Sequence, residues 1–330
     1  MFENKRMING KPYHYLEHSY RIGRKVRKIT FHLPKGGKFD LNDFRKINER
    51  QLKENSGKIT DYIKENRTFS RFFSYGNQIQ TIEEGKIVFS FLNKFIDEKE
   101  KEQIISEYVR KFLVNSMAME GGTLTYNDAT AIDSGKMDAK IKGTIKDKRL
   151  YLQLKKASKM LMNGRLRTKE QIKKIHKVIY NQIYEFAGRF KTEKNTFGGM
   201  EKAITTEPKD VPKALAKAIL RFHAEKNKLY NFERIVNFHI NYQKIHPFED
   251  GNSRLGRLIM NIQLIKAGYP PLIYEHKRSS AYRQALVTAV NDPHKNTPIL
   301  KFFYDNYKRS FNKFWKPLIE KHIVEKIKNI

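Results

Sequence analysis

A chain of 330 residues with no cysteine can hold neither a disulfide nor a thiolate metal site, and its length suits two or three structural units. Its 66 Lys and Arg against 35 Asp and Glu leave a formal charge of +31; such a field attracts nucleic acid, but the cations are spread along the whole chain, which does not favour a dedicated nucleic-acid surface. No apolar run follows the first lysines and none approaches about 18 residues, so a soluble cytoplasmic protein without leader or membrane span is expected.

The N-terminal region reads as a short β-hairpin followed by helices. Residues 13–16 and 26–33 have strand character, the second alternating at Ile29, Phe31 and Leu33, with Gly23 in the turn. Arg21, Arg24, Lys25, Arg27 and Lys28 crowd this turn beside Tyr15 and Tyr20; cations among aromatics can bind nucleic acid, and they can equally cover a small sheet with solvated edges. His14 and His18 share a strand face, but no acid or thiol completes a metal site there. Helical spacing returns over 41–95, with Phe44, Ile47, Leu52, Ile59, Tyr62 and Ile63 as candidate core, followed by a Phe-rich stretch.

A helix over 101–120 is apolar at Ile104, Ile105, Tyr108, Val109, Phe112 and Leu113 and ends on Gly121-Gly122. Ser116 and Glu120, four apart, share a face at its end. Further helices are expected at 169–185, 211–226 and 231–245, the last capped by Asn231. Between 188 and 206 the helical pattern breaks around Gly198-Gly199, and a short hairpin is the economical reading. From Ile299 onward Leu300, Phe303, Tyr307, Phe311, Phe314 and Trp315 predict a last helix bent or stopped near Pro317.

The densest chemistry lies in His246-Pro247-Phe248-Glu249-Asp250-Gly251-Asn252-Ser253-Arg254-Leu255-Gly256-Arg257. Gly251 permits backbone geometry that other residues resist. Leu255, Leu258, Ile259 and Ile262 then mark one face of a helix over 252–267, stopped by Gly268, Pro270 and Pro271. The polar cluster therefore sits at a helix N-terminus, an anion site by virtue of its free N–H groups and dipole. Arg254 and Arg257, three apart, are placed to meet phosphate oxygens. Asp250 is the hard oxygen ligand Mg²⁺ accepts, and His246 suits a general base.

These twelve residues resemble the signature HPFx[D/E]GNxRxxR of the Fic family at every fixed position. The resemblance implies a mainly α fold: a Fic-type helical core with a small β-hairpin flap, preceded here by a small N-terminal α+β region. It implies an enzyme, a nucleotidyltransferase moving AMP from ATP to a Ser, Thr or Tyr hydroxyl of a target protein. By position, His246 would be the base, Asp250 the Mg²⁺ ligand, and Gly251, Asn252, Ser253, Arg254 and Arg257 the nucleotide and phosphate cradle, with Arg257 on the γ-phosphate and Phe248 as a buried anchor. Ser116 and Glu120 resemble the family's inhibitory (S/T)xxxE(G/N) motif, which implies intramolecular autoinhibition through a Glu120–Arg257 pair. The flap, with Arg189, Phe190, Lys191 and Thr192, would hold the target in extended form.

The implied organisation is an N-terminal region at 1–100, a Fic-like catalytic domain at 101–307 with the inhibitory helix at 101–120, flap at 188–206 and core motif at 246–257, and a C-terminal helical tail at 308–330. Ser253 stands where many members carry glycine, so a related transferase of another phosphate-containing group is the rival enzyme reading. A basic nucleic-acid-binding regulator with a non-catalytic nucleotide site is the rival outside enzymology. Self-modification and a homo-oligomer are compatible with the first reading; a membrane is not.

Overall fold

The computed structural model describes residues 3–8, 11–22, 25–33, 41–74, 76–90, 96–135, 143–197 and 202–328. The chain divides into two compact units, one of residues 1–103, 268–270 and 307–330, the other of residues 104–267 and 271–306. No described helix is long and apolar enough to cross a membrane.

The first unit carries an antiparallel sheet of three strands in the order β1 (Glu3–Ile8), β2 (Lys11–Ile22) and β3 (Lys25–Leu33). The expected strands are present, the first longer than its 13–16 core, and β1 joins them; Gly23 and Arg24 lie outside the described residues. Ile29 is buried in β3, whereas Lys25, Arg27 and Lys28 are exposed. Helix α1 (Leu41–Asn66) packs on β3 and on α2 (Gln78–Ser90). Ile63 is buried and Leu52, Ile59 and Tyr62 half-buried; the side chains of Phe44 and Ile47, and the Phe-rich residues 91–95, lie outside the described set. The C-terminal segment does not stop at Pro317. It passes through a π-helical turn, Phe311–Trp315, into a last helix at Lys316–Lys328; the widened turn admits a proline that a regular ladder resists. Trp315 is fully buried edge-on against Phe89, and the Tyr307 hydroxyl donates to the Ile82 carbonyl at 2.7 Å.

The second unit is helical, and local sequence explains its boundaries. Helix α3 (Glu98–Ala118) leads into α4 (Tyr126–Asp133), which starts on a reciprocal Thr125–Asp128 capping box, and α5 (Ile145–Asn163) starts on Thr144. Helix α6 (Lys169–Tyr180) begins with a Thr168–Gln171 box and buries Ile172, Ile175 and Ile179. It ends five residues earlier than its apolar spacing suggests, because Gln182 adopts a left-handed φ of 61°. Helix α7 (Val211–Ala224) ends in a 3₁₀ turn, Glu225–Asn227. Helix α8 (Asn231–Ile245) is buried almost all round, as a central helix must be. Asn231 does not cap it: Tyr230 holds the cap position, and the Asn231 side-chain Oδ1 accepts from Arg234 instead. Helix α9 (Asn252–Lys266) packs on α8 and α5, and α10 (Ser279–Asn291) on α8.

Candidate active site

Helices α8 and α9 are joined by six residues, 246–251, and both ends of this link are left-handed: His246 at φ 47° and Gly251 at φ 84°. At Gly251 nothing larger fits, since a Cβ would stand 2.3 Å from the Tyr180 ring. Asn252 locks the link across its middle. Its Oδ1 accepts the Phe248 N–H at 3.0 Å and its Nδ2 donates to the Phe248 carbonyl at 2.6 Å, both buried. With a bond at each end of its amide, Asn252 shapes the loop. Phe248, fully buried, stacks on His176 with centroids 3.7 Å apart, as an anchor should.

The unit holds three buried histidines in this neighbourhood, and their partners define their tautomers. His176 donates from Nε2 to the Asp250 carbonyl at 3.0 Å and accepts the Gly188 N–H at Nδ1. His239 donates from Nδ1 to the Gly256 carbonyl and accepts the Tyr282 hydroxyl at Nε2, 2.8 Å away. His246 donates from Nδ1 to the Gln243 carbonyl at 3.3 Å and stacks on Phe197, but its Nε2 has no protein partner among the described residues. Burial pushes all three pKa values down, to about 4 for His176, about 3 for His239 and about 4 for His246. The Lys191 ammonium reinforces the fall at His246. A neutral imidazole with one lone pair unused is a ready proton acceptor.

Asp250 stands at the opposite end of the link. Burial works to raise its pKa, but the Tyr184 hydroxyl at 2.5 Å, the Arg254 guanidinium and the Gly251 N–H together hold it below the ordinary carboxylate value. It is therefore a carboxylate. Among the described residues no group of three or more His, Asp or Glu gathers as a metal cage.

The two arginines do not work side by side. Arg254 turns back to Asp250, 3.3 Å away, and lies over the Tyr180 ring. Arg257 is fully buried and points to the end of α3: Nε donates to the Ser116 hydroxyl at 3.0 Å, Nη1 to Glu120 Oε1 at 2.8 Å, and Nη2 to the Ser116 carbonyl at 2.8 Å. Glu120 lies two residues beyond the helix, in a turn closed by Gly121 at φ 85°. In that turn the Glu120 N–H bonds to Met117 rather than to Ser116. The Ser116 carbonyl is thus one of the helix's unsatisfied acceptors, and the Arg257 cation supplies its donor.

Across the expected hairpin the described residues carry no strand ladder, and the two arms meet through single bonds. The Ala203 N–H donates to the Phe197 carbonyl at 2.8 Å, and the Thr205 hydroxyl to the Asn195 carbonyl, in antiparallel register; residues 198–201 lie outside the described set. The outer edge of the returning arm is covered by the Asn291 amide, which accepts the Ile204 N–H and donates to the Lys202 carbonyl. Of the four flap residues singled out in the sequence, two are tied to the link. The Lys191 N–H donates to Pro247, and its buried ammonium, lowered by desolvation to about 8, donates to Asn195 and Thr205. The Thr192 N–H donates to Glu249 at 2.7 Å. Arg189 donates to the Glu185 carbonyl, and Phe190 packs on Phe248. A cavity of about 350 Å³ lies beside Glu120, lined also by Met119, Phe197, Ser253, Tyr282, Arg283 and Leu286.

Three participants escape the motif: Tyr184 on Asp250, His176 under Phe248, and Arg283 at the cavity. Only His176 had a local signal, a histidine on the apolar face of α6 beside Ile172, Ile175 and Ile179.

Residues 167–264 match the Fic/DOC family. Protein adenylyltransferase Fic of Drosophila mojavensis is 27% identical over 186 residues, 54% of this chain and 36% of that protein. The protein of the same name from Nematostella vectensis is 28% identical over 190 residues, 55% of this chain and 43% of its own. The chain thus spans less than half the length of these curated relatives. Among solved structures, a Fic domain-containing signaling protein from Bacteroides thetaiotaomicron superposes with a TM-score of 0.61 at 23% identity, covering 72% of this chain and 96% of that one. A Fic family protein from Desulfovibrio desulfuricans gives 0.61 at 18% identity over 74% and 76%; both likenesses are of fold. The signature, its helix-entry loop and the two helices that flank it fall in the part of the chain that matches the Fic/DOC family.

Proposed function

We propose that the protein is an adenylyltransferase, moving AMP from ATP to a hydroxyl side chain of a target protein, and that its own α3 end restrains it. The observation that carries this reading is His246: of the three neutral histidines around the loop, it alone keeps a ring nitrogen uncommitted. The names of the curated relatives support the same activity.

In the reaction, His246 Nε2 takes the proton of the incoming hydroxyl as its oxygen forms a bond to the α-phosphorus. The bond from that phosphorus to the bridging oxygen of the β-phosphate breaks, and pyrophosphate leaves. The N–H groups that open α9 face the phosphates, and their partial positive charge grows in worth as negative charge develops. Asp250, held ionised by Tyr184 and Arg254, is the residue that would hold Mg²⁺; a single carboxylate beside substrate phosphates fits this ion's habit. When bound, the ion would neutralise charge on the phosphate oxygens.

Arg257 is the natural partner for the terminal phosphate, and in this structure Glu120 has it. A carboxylate there excludes the γ-phosphate and leaves the α-phosphate misaligned, and misplacement of about an ångström costs roughly 100-fold in rate. The hairpin arms lie beside His246 through Phe197, a place from which an extended target segment can be held by its backbone.

The test is transfer of α-labelled ATP in the presence of Mg²⁺ and lysate. Glu120→Gly is expected to raise labelling at least tenfold over wild type, and adding His246→Ala to abolish it. Equal labelling by wild type and Glu120→Gly would remove the restraint from this reading; labelling by the His246→Ala protein would remove the base. Running GTP, UTP and a CDP-linked donor in parallel identifies the transferred group, which Ser253 beside the cavity helps select.

A further inference from the structure

The cavity beside Glu120 contains a cation that the mechanism above leaves unused. Arg283, on α10, lines it together with Glu120 and Ser253. Its Nη1 donates to the Met119 carbonyl at 3.1 Å and its Nη2 to the Ser279 hydroxyl at 3.4 Å. It forms no ion pair among the described residues, since the acid at this cavity is committed to Arg257. A guanidinium has five donors, and both partners here are neutral oxygens, so no described acid compensates its charge and donors remain to spare. The same cavity is bounded by Ser253, second residue of α9, whose N–H belongs to the helix's unpaired first turn. A full positive charge and a positive helix end thus meet at one space.

Met119 and Glu120 are consecutive. The turn that brings a carboxylate to Arg257 therefore also brings a carbonyl to Arg283, and one displacement of that turn releases both cations. Arg254 cannot serve instead, because Asp250 already neutralises it.

We infer that Arg283 is a second polyphosphate-binding cation, held in reserve by the turn that occupies Arg257 and freed with it. The identity of the ligand as a nucleoside triphosphate rests on the reading under Proposed function. Arg283 contacts phosphates beyond the first, so it discriminates ATP from AMP, and it places the affinity for the triphosphate under the control of residues 119 and 120 together.

The experiment measures ATP and AMP binding calorimetrically on the full chain carrying Glu120→Gly and His246→Ala, which removes both the restraint and turnover. Adding Arg283→Ala is expected to weaken ATP about tenfold, the scale of one charge-assisted contact, and AMP by less than about threefold. Arg283→Lys should recover part of the ATP loss. Unchanged ATP affinity, or equal weakening of ATP and AMP, overturns the inference, because a packing role would not count phosphates. Should Arg283→Ala lower the unfolding temperature, Arg283→Gln is judged by the same ATP-to-AMP ratio. The readout involves no transfer: if Glu120→Gly with His246 intact labels no target while Arg283→Ala still weakens ATP selectively, the proposed activity is refuted and this inference stands.

Discussion

Gly251 shows how narrowly single residues define the site. Its φ of 84° and the Tyr180 ring 2.3 Å from any added Cβ both forbid a side chain. Gly251→Ala is expected to cost at least about 2 kcal/mol in urea unfolding, whereas Gly121→Ala, with a similar φ but open space, should cost about 1 kcal/mol. His246 gives a second prediction. The proposed transfer needs the neutral imidazole, so with a pKa near 4 its rate should be flat from pH 8 to 6 and decline only below about pH 5. Lys191→Met removes a charge that opposes the imidazolium, and the acid limb of the single-turnover profile should move upward; an unmoved limb would leave burial as the whole cause. Gly251 and His246 were legible in the sequence because both belong to one twelve-residue motif, although Tyr180, Phe197 and Lys191, which they meet in the fold, lie outside it. Tyr184 and Arg283 were not, since each reaches the site from a different helix or loop and no local pattern marks a long-range hydrogen bond; His176 showed only its place on the apolar face of α6. The closing of the Asn252 amide on Phe248 was not legible either, because only the folded loop brings the two together.

Helices begin where the sequence says and end where tertiary context decides. Thr168 with Gln171 marks the start of α6 through a cap visible in four residues, but its end at Tyr180 follows from a left-handed Gln182 that no glycine announces. Asn231 was a plausible cap and is none, because Arg234 claims its oxygen. The hairpin was legible as a break and a glycine pair, yet its pairing depends on long-range bonds from Lys191, Thr192 and Asn291. An element-level junction that composition could not reveal is Asp133. It accepts from Arg110 of α3 at 2.9 Å, from Lys155 of α5 at 2.6 Å and from the Tyr151 hydroxyl at 3.0 Å. Burial works to raise its pKa, but these three donors hold it lowered. Asp133→Ala would leave two partly buried cations unpaired, and is expected to lower the unfolding free energy by about 2–3 kcal/mol, read by urea denaturation at low and high salt.

For the whole molecule, the three buried histidines make acid the natural denaturant. Each has an ordinary pKa of 6.5 in the unfolded chain and about 3 to 4 when folded. Between these values the unfolded chain binds protons that the folded one refuses, so stability is full above pH 6.5 and falls as pH falls. By pH 5 each should have removed about 1–2 kcal/mol, and His239→Gln should flatten the pH dependence of the melting temperature by one such share. The excess of cations distributed over the chain adds its own repulsion as carboxylates are neutralised. The sequence alone correctly indicated a mainly helical molecule with a small sheet in front, because capping boxes and apolar spacing are local; it could not show that residues 307–330 associate with residues 1–103, which depends on Trp315 and Tyr307 meeting α2. The hold of α3 on Arg257 has a wider thermodynamic meaning, because the guanidinium serves that helix as its terminal donor at the Ser116 carbonyl. Anything that draws the arginine away uncaps the helix, and by reciprocity anything that frays its last turn must tighten the grip of an anion on the arginine. Deuterium uptake at the amides of residues 119–122 is therefore a gauge of anion occupancy at the Arg257 guanidinium that this turn touches.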